Sequence, residues 1–153
     1  METAGDSPAG GLVCVTGGSG FIGSWLVCRL LDHGYSVHAT VKNIQDERET
    51  KHLQALDGAA SRLRLLEMDL LDPASVRAAV EGASGVFHLA SPVTLQPPQD
   101  PEKELLEPAV KGTLNVLRAA MDSGIGRVVL MSSKAAMVPN PDWPEDKVID
   151  EDS

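Results

Sequence analysis

The stretch that most constrains the fold is VCVTGGSGFIG, residues 13–23, an apolar β-branched run that breaks into glycines and resumes with Phe21 and Ile22. Its glycines have two registers: Gly18, Gly20 and Gly23 spell GxGxxG, and Gly17, Gly20 and Gly23 spell GxxGxxG. A strand ending at Thr16 puts the tight turn at Gly17 and starts a helix near Gly20, which favours the second register and leaves Gly18 as an extra glycine. Gly17 then permits the turn, and Gly20 lets backbone amides approach a pyrophosphate. Phe21 and Ile22 occupy the first helical turn, and Gly23 lets the helix pack closely on the sheet. A glycine-rich turn alone is weak evidence, since a flexible loop also tolerates it. Its place between a strand and a helix makes dinucleotide binding the stronger reading.

Downstream, short apolar runs alternate with helical segments. LVCVT (Leu12–Thr16), YSVHATV (Tyr35–Val41), RLRLL (Arg62–Leu66), GVFHLA (Gly85–Ala90) and RVVLMS (Arg127–Ser132) read as strands. Phe21–His33, Glu49–Leu56, Pro73–Val80 and Pro101–Asp122 read as helices. Gly34 is a helix stop, and Asp72 before Pro73 and Asp100 before Pro101 place a capping carboxylate ahead of proline. This alternation predicts an α/β domain with a doubly wound parallel sheet of Rossmann type, helices on both faces, and an incomplete C-terminal side. The apolar first, fourth and fifth strands fit central positions buried on both faces, and Pro108 predicts a bend in the long fourth helix. The expected division is a disordered leader over 1–10, a nucleotide-binding domain over 11–138 and an acidic, proline-rich loop over 139–153.

Composition narrows the function. A formal charge of -9 opposes sequence-blind binding to nucleic acid or anionic membranes. Cys14 and Cys28 form no metal spacing and read as reduced thiols, and no metal site is expected. METAGDSPAGG lacks the basic and apolar regions of a secretory leader, and no apolar run approaches the roughly 20 residues of a membrane helix, so the expected compartment is cytoplasmic. An open sheet edge would favour self-association.

The nucleotide is read at the end of the second strand. Selectivity for NAD usually rests on an acidic residue there, whereas this chain has Lys42, with Arg48 nearby. A cation attracts a 2′-phosphate, so NADP(H) is the expected cofactor and NAD(H) the less favoured one; otherwise Lys42 is a solvated strand-end lysine with Asp46 in reach of a ribose. Beyond the third and fourth strands, Asp69 and Leu70 stand where adenine would lie, and Ala90 and Ser91 where the nicotinamide ribose would lie. By spacing alone Asp69 reads as a loop residue and His88 as a half-buried strand residue.

Six segments in order, VTGGSGFIGSWLVCRLLDHGY, TVKN, MDLLD, GVFHLASPV, EPAVKGTLNVL and RVVLMSS, resemble the extended short-chain dehydrogenase/reductase superfamily of NAD-dependent epimerase/dehydratase type. Within it they most resemble the plant cinnamoyl-CoA reductase and dihydroflavonol 4-reductase group, over about Leu12 to Ser153. The resemblance implies that Gly17, Gly20 and Gly23 are cofactor glycines, that Lys42 replaces the arginine of TVRN, and that Arg48 is a second phosphate-binding cation. It also implies an adenine edge at Asp69 and Leu70, a nicotinamide side at Ala90 and Ser91, and a catalytic serine at Ser133. The implied substrate is a small carbonyl compound or CoA thioester. In that superfamily a YxxxK tyrosine protonates the carbonyl oxygen while the serine hydrogen-bonds it. The one tyrosine here, Tyr35, has Ala39 four residues later, so the implied proton donor lies outside these residues and the chain alone is expected to be inactive. Lys134, Val138 and Lys111 depart from the family's usual residues and leave the substrate open.

Overall fold

A computed structural model of the chain describes residues 10–93 and 96–136, together with positions 141, 144, 147 and 150. The expected leader, apart from Gly10, and most of the expected acidic loop, with Val138, lie outside the described residues. Five parallel strands, β1 (Leu12–Thr16), β2 (Ser36–Val41), β3 (Leu63–Glu67), β4 (Gly85–His88) and β5 (Arg127–Leu130), lie in the order β3-β2-β1-β4-β5. The helices are α1 (Phe21–Asp32), α2 (Glu47–Gln54), α3 (Ala59–Arg62), α4 (Pro73–Val80) and α5 (Glu107–Asp122). The expected Rossmann-type architecture is present, and the order in which successive strands are added reverses between β1 and β4, the place where ligands enter such sheets.

Strand alternation sorts the core into two layers. Val13, Val15, Val37 and Ala39 face Val27 and Leu31 of α1 and Leu53 of α2. Cys14 and Val86 point the opposite way, onto Val76 and Val80 of α4 and Val116 and Ala119 of α5. Burial pushes the Cys14 thiol up to about 12, and both Cys14 and Cys28 are free thiols.

The caps form as expected. Asp72 accepts the amides of Ala74 and Ser75 at 3.0 and 3.3 Å, and Gly34 adopts φ 82° after α1. Asp100 accepts the Lys103 amide at 3.2 Å while Glu104 accepts that of Asp100 at 2.8 Å. Other expectations need correction. Among the described residues β5 is an edge rather than a doubly buried strand: Val129 and Leu130 are 44% and 51% exposed, and Met131 just after it 46%, while β2 takes an interior place between β1 and β3. Around Pro108 the expected long helix is continuous but changes type: a π-helical segment at Glu102–Leu106 runs directly into α5, with Leu106 and Glu107 both in helical backbone, and Pro108 falls just after the change. The second helix starts earlier, at Glu47, because Asp46 caps it through the Arg48 amide. The short α3 went unread; Gly58, at φ 79°, turns the chain into it.

A buried polar node ends the sheet at its carboxyl side. Thr16 Oγ1 accepts the amides of Leu89 and Ala90, both at 3.0 Å, which turns them out of the ladder and stops β4 at His88. With both lone pairs used, the Thr16 hydroxyl donates to His88 Nδ1 at 2.8 Å. His88 is therefore neutral, with its proton on Nε2 facing Thr113 Oγ1 of α5 at 3.2 Å. Burial holds its pKa below the ordinary histidine value, and the residue is 3% exposed.

Two predictions follow from this packing. A Cβ on Gly23 would stand 2.1 Å from the Gly17 carbonyl oxygen, whereas one on Gly20 would meet that oxygen at 3.4 Å. Gly23→Ala should lower stability to urea by about 2–3 kcal/mol and Gly20→Ala by well under half of that; equal losses would refute this loop geometry. For His88, the unfolded chain binds a proton near pH 6.5 that the folded chain refuses. Its neutral form therefore supports full stability above that pH, and stability falls as pH drops toward the depressed folded value. Urea midpoints at about pH 7.5 and 5.5, bracketing the ordinary histidine range, should differ more in the wild type than in His88→Asn, which keeps an acceptor for Thr16 without titrating. Parallel shifts would remove His88 as the cause.

Candidate functional site

The turn after β1 is built from backbone because side chains do not fit. Gly17 has φ 70°, and a Cβ there would meet the Ala90 backbone at 3.1 Å. Its amide donates to Thr40 Oγ1 at 3.0 Å, and the Gly18 amide to the Thr40 carbonyl at 2.8 Å, clamping the loop onto β2. Gly18 is more than an extra glycine: a Cβ on it would lie 2.7 Å from the Ala39 Cβ. The glycines of both registers are thus accounted for. Gly17, Gly18 and Gly23 serve packing, while Gly20 alone has room for a side chain that the fold would accept.

Gly20 is the N-cap of α1; it supplies no side-chain acceptor, and no acidic residue stands in the first turn. The helix therefore presents its N-terminal amides and the positive end of its dipole to whatever lies beyond Gly20. What lies there is a cleft of about 1020 Å³ at the carboxyl ends of the strands.

Of the residues expected from the sequence, Gly17, Gly20, Phe21, Ile22, Gly23, Lys42, Asp69, Leu70, Ala90 and Ser91 all line this cleft. Phe21 is 94% exposed. Asp69 sits in a turn, its Oδ1 accepting the Leu71 amide at 2.9 Å. Two expected residues do not line it. Arg48 is paired with Asp46, Nε to Oδ1 at 3.2 Å and a terminal nitrogen to Oδ2 at 3.1 Å; this pair lowers the Asp46 pKa and raises that of Arg48. Ser133 follows β5, exposed, with its Oγ accepting the Ala135 amide at 3.2 Å ahead of a 3₁₀ turn at Lys134–Ala136. Tyr35 stands at the opposite, amino-terminal end of β2, its ring against Gly10.

Sequence reasoning missed several residues that shape the cleft. Thr40 and Thr16 clamp its floor through hydroxyls. Gly112 of α5 lets that helix close on Leu70, where a Cβ would lie 2.8 Å from the Leu70 Cβ, and Asn115 Nδ2 donates to the Leu70 carbonyl at 2.8 Å. Lys111, a departure from the family pattern, is engaged in an ion pair with Glu107 one turn earlier on α5. Glu49 lines the cleft beside Lys42 and accepts the Lys42 amide at 2.7 Å. The one available signal was the D-x-x-E pattern of Asp46 and Glu49 at a helix start. Among the described residues no cluster of His, Cys, Asp or Glu suits a metal ion, and no helix is long and apolar enough to cross a membrane.

Comparison with known proteins agrees with this geometry. The family model described as NAD dependent epimerase/dehydratase family matches residues 13–153. The chain is 49% identical over 145 residues to cinnamoyl-CoA reductase 1 of Petunia hybrida, covering 95% of this chain and 42% of that one. It is 48% identical over 144 residues to tetraketide alpha-pyrone reductase 1 of Arabidopsis thaliana, covering 94% and 44%. It therefore spans less than half the length of these relatives. Among solved structures, vestitone reductase from alfalfa superposes with a TM-score of 0.69 at 38% identity over 82% of this chain and 37% of that one. A yeast methylglyoxal/isovaleraldehyde reductase complexed with NADPH gives 0.70 at 27% identity over 82% and 38%. From the glycine turn through the helix that holds Leu70, the chain belongs to the NAD dependent epimerase/dehydratase family, within the extended short-chain dehydrogenase/reductases.

Proposed function

We propose that this chain is the nucleotide-binding part of an NADP(H)-dependent oxidoreductase acting on carbonyl and CH–OH groups, of the cinnamoyl-CoA reductase-like kind. The observation that carries this reading is the uncapped amino end of α1 opening through Gly20 onto the cleft, with Lys42 on its wall. The α1 amides would hold the pyrophosphate, Lys42 the 2′-phosphate, Asp69 and Leu70 the adenine edge, and Ala90 and Ser91 the nicotinamide side. The bound nucleotide supplies or accepts hydride. Ser133, just past the carboxyl end of β5, would hydrogen-bond the substrate oxygen in its turn. The implied substrate is a small carbonyl compound or CoA thioester, as the name of the Petunia relative suggests.

A second reading has its own observation. The single tyrosine, Tyr35, sits at the amino-terminal end of the sheet away from the cleft, so no phenol of these residues faces the substrate side. On that reading the chain binds the nucleotide without turning over substrate. Nucleotide consumption with a cinnamoyl-CoA thioester, followed by nicotinamide absorbance, separates the two.

Binding tests the site itself. Gly20→Ala, which the fold tolerates, should weaken NADPH and NADH alike by about tenfold, because a methyl group obstructs the pyrophosphate approach. Lys42→Gln should weaken NADPH by roughly five- to tenfold and leave NADH nearly unchanged. Equal losses for the two nucleotides in the lysine variant would show that Lys42 reads no phosphate.

A further inference from the structure

The loop after β2 is where a nucleotide's extra phosphate is read, and here its amides are already answered from within the chain. Glu49 Oε2 accepts the Lys42 amide at 2.7 Å and the Asn43 amide at 3.3 Å, and Glu67 Oε2 accepts the Ile44 amide at 3.1 Å. Glu49 holds the third position of α2, from which a glutamate usually bonds back to the amide of its own N-cap residue. That partner is taken, since the Asp46 amide donates to the Asn43 carbonyl at 3.1 Å. The Glu49 side chain reaches past it to the end of β2 and lies half-buried on the cleft wall.

The charges inside the cleft are few, and the Arg48 guanidinium, which Glu49 helps to keep charged, lies outside it. Of the residues lining the cleft, Lys42 is the one cation, and Glu49 and Asp69 are two carboxylates. Lys42 enters none of the ion pairs found among the described residues. Arg48, the other expected phosphate-binding cation, is committed to Asp46 and does not line the cleft.

We propose that Glu49 is a specificity-determining residue that restrains the phosphate preference conferred by Lys42. Its carboxylate, fixed on the Lys42 and Asn43 amides, repels a 2′-phosphate and accepts the ribose hydroxyls of the unphosphorylated nucleotide. The chain therefore discriminates between NADP(H) and NAD(H) far less than Lys42 alone would dictate. This rests on the nucleotide reading of the cleft.

The test is Glu49→Gln, which removes the charge and keeps an oxygen to accept the two amides. NADPH and NADH are titrated into the full chain and into the variant, with folding checked by urea unfolding. The variant should raise the NADPH affinity about fivefold relative to NADH at low salt, and the gain should shrink at about 0.5 M salt as exposed charges are screened. The wild type gives a second measurement that needs no variant. Its NADPH-to-NADH affinity ratio should change little with salt, because cation and carboxylate offset each other. A wild-type ratio that falls steeply with salt, as for a lone cation, overturns the proposal, as does a variant ratio that stays at the wild-type value. Absence of binding by either nucleotide to any form overturns the nucleotide reading itself, and this proposal with it.

Discussion

The Gly17 carbonyl occupies the space that any side chain on Gly23 would require, and the amino end of α1 is where it is because of that contact. Once α1 is pressed onto the turn, the Gly17 and Gly18 amides fall within reach of Thr40 and tie β1 to β2. The same turn runs against the Ala90 backbone, whose amide Thr16 has turned inward, so β1 is tied to β4 by a second route. The cleft sits among these ties, and added bulk at Gly17, Gly18 or Gly23 would drive the elements apart.

This arrangement explains which parts of the molecule could be read in advance. The β1 run, the glycine turn, the Asp72 cap and the Gly34 stop are local: each is decided by residues within a few positions of it, and each formed as its residues indicate. The end of β4 is not local. GVFHLA is apolar to its last residue, yet the strand stops at His88 because a hydroxyl far away in the chain claims the next two amides. The position of β5 was misread for a related reason. An apolar strand is suited to burial, but whether its outer edge is covered depends on what stands next to it, and among the described residues nothing does.

The candidate site shows the same division. Ten of the residues expected at the nucleotide line one cleft, because strand ends in a parallel sheet converge whatever the loops contain. Lys42 was legible as a cation at a strand end. Its carboxylate neighbour was not, because Glu49 belongs to the next helix and returns to β2 only after the Asp46 cap has set the helix direction. Arg48 fails to join the cleft for the same cause: the cap that starts α2 also captures its guanidinium.

The grip of α5 on the loop after β3 has one more effect. Gly112 and Asn115 hold Leu70 from the face of the sheet opposite α1, so the two rims of the cleft hang on separate layers of the core. The loop that carries Leu70 is thereby tied to a helix of one layer while the glycine turn is tied to the other. A guest entering such a gap finds its contacts already spaced, and little of its attraction is spent on ordering the host.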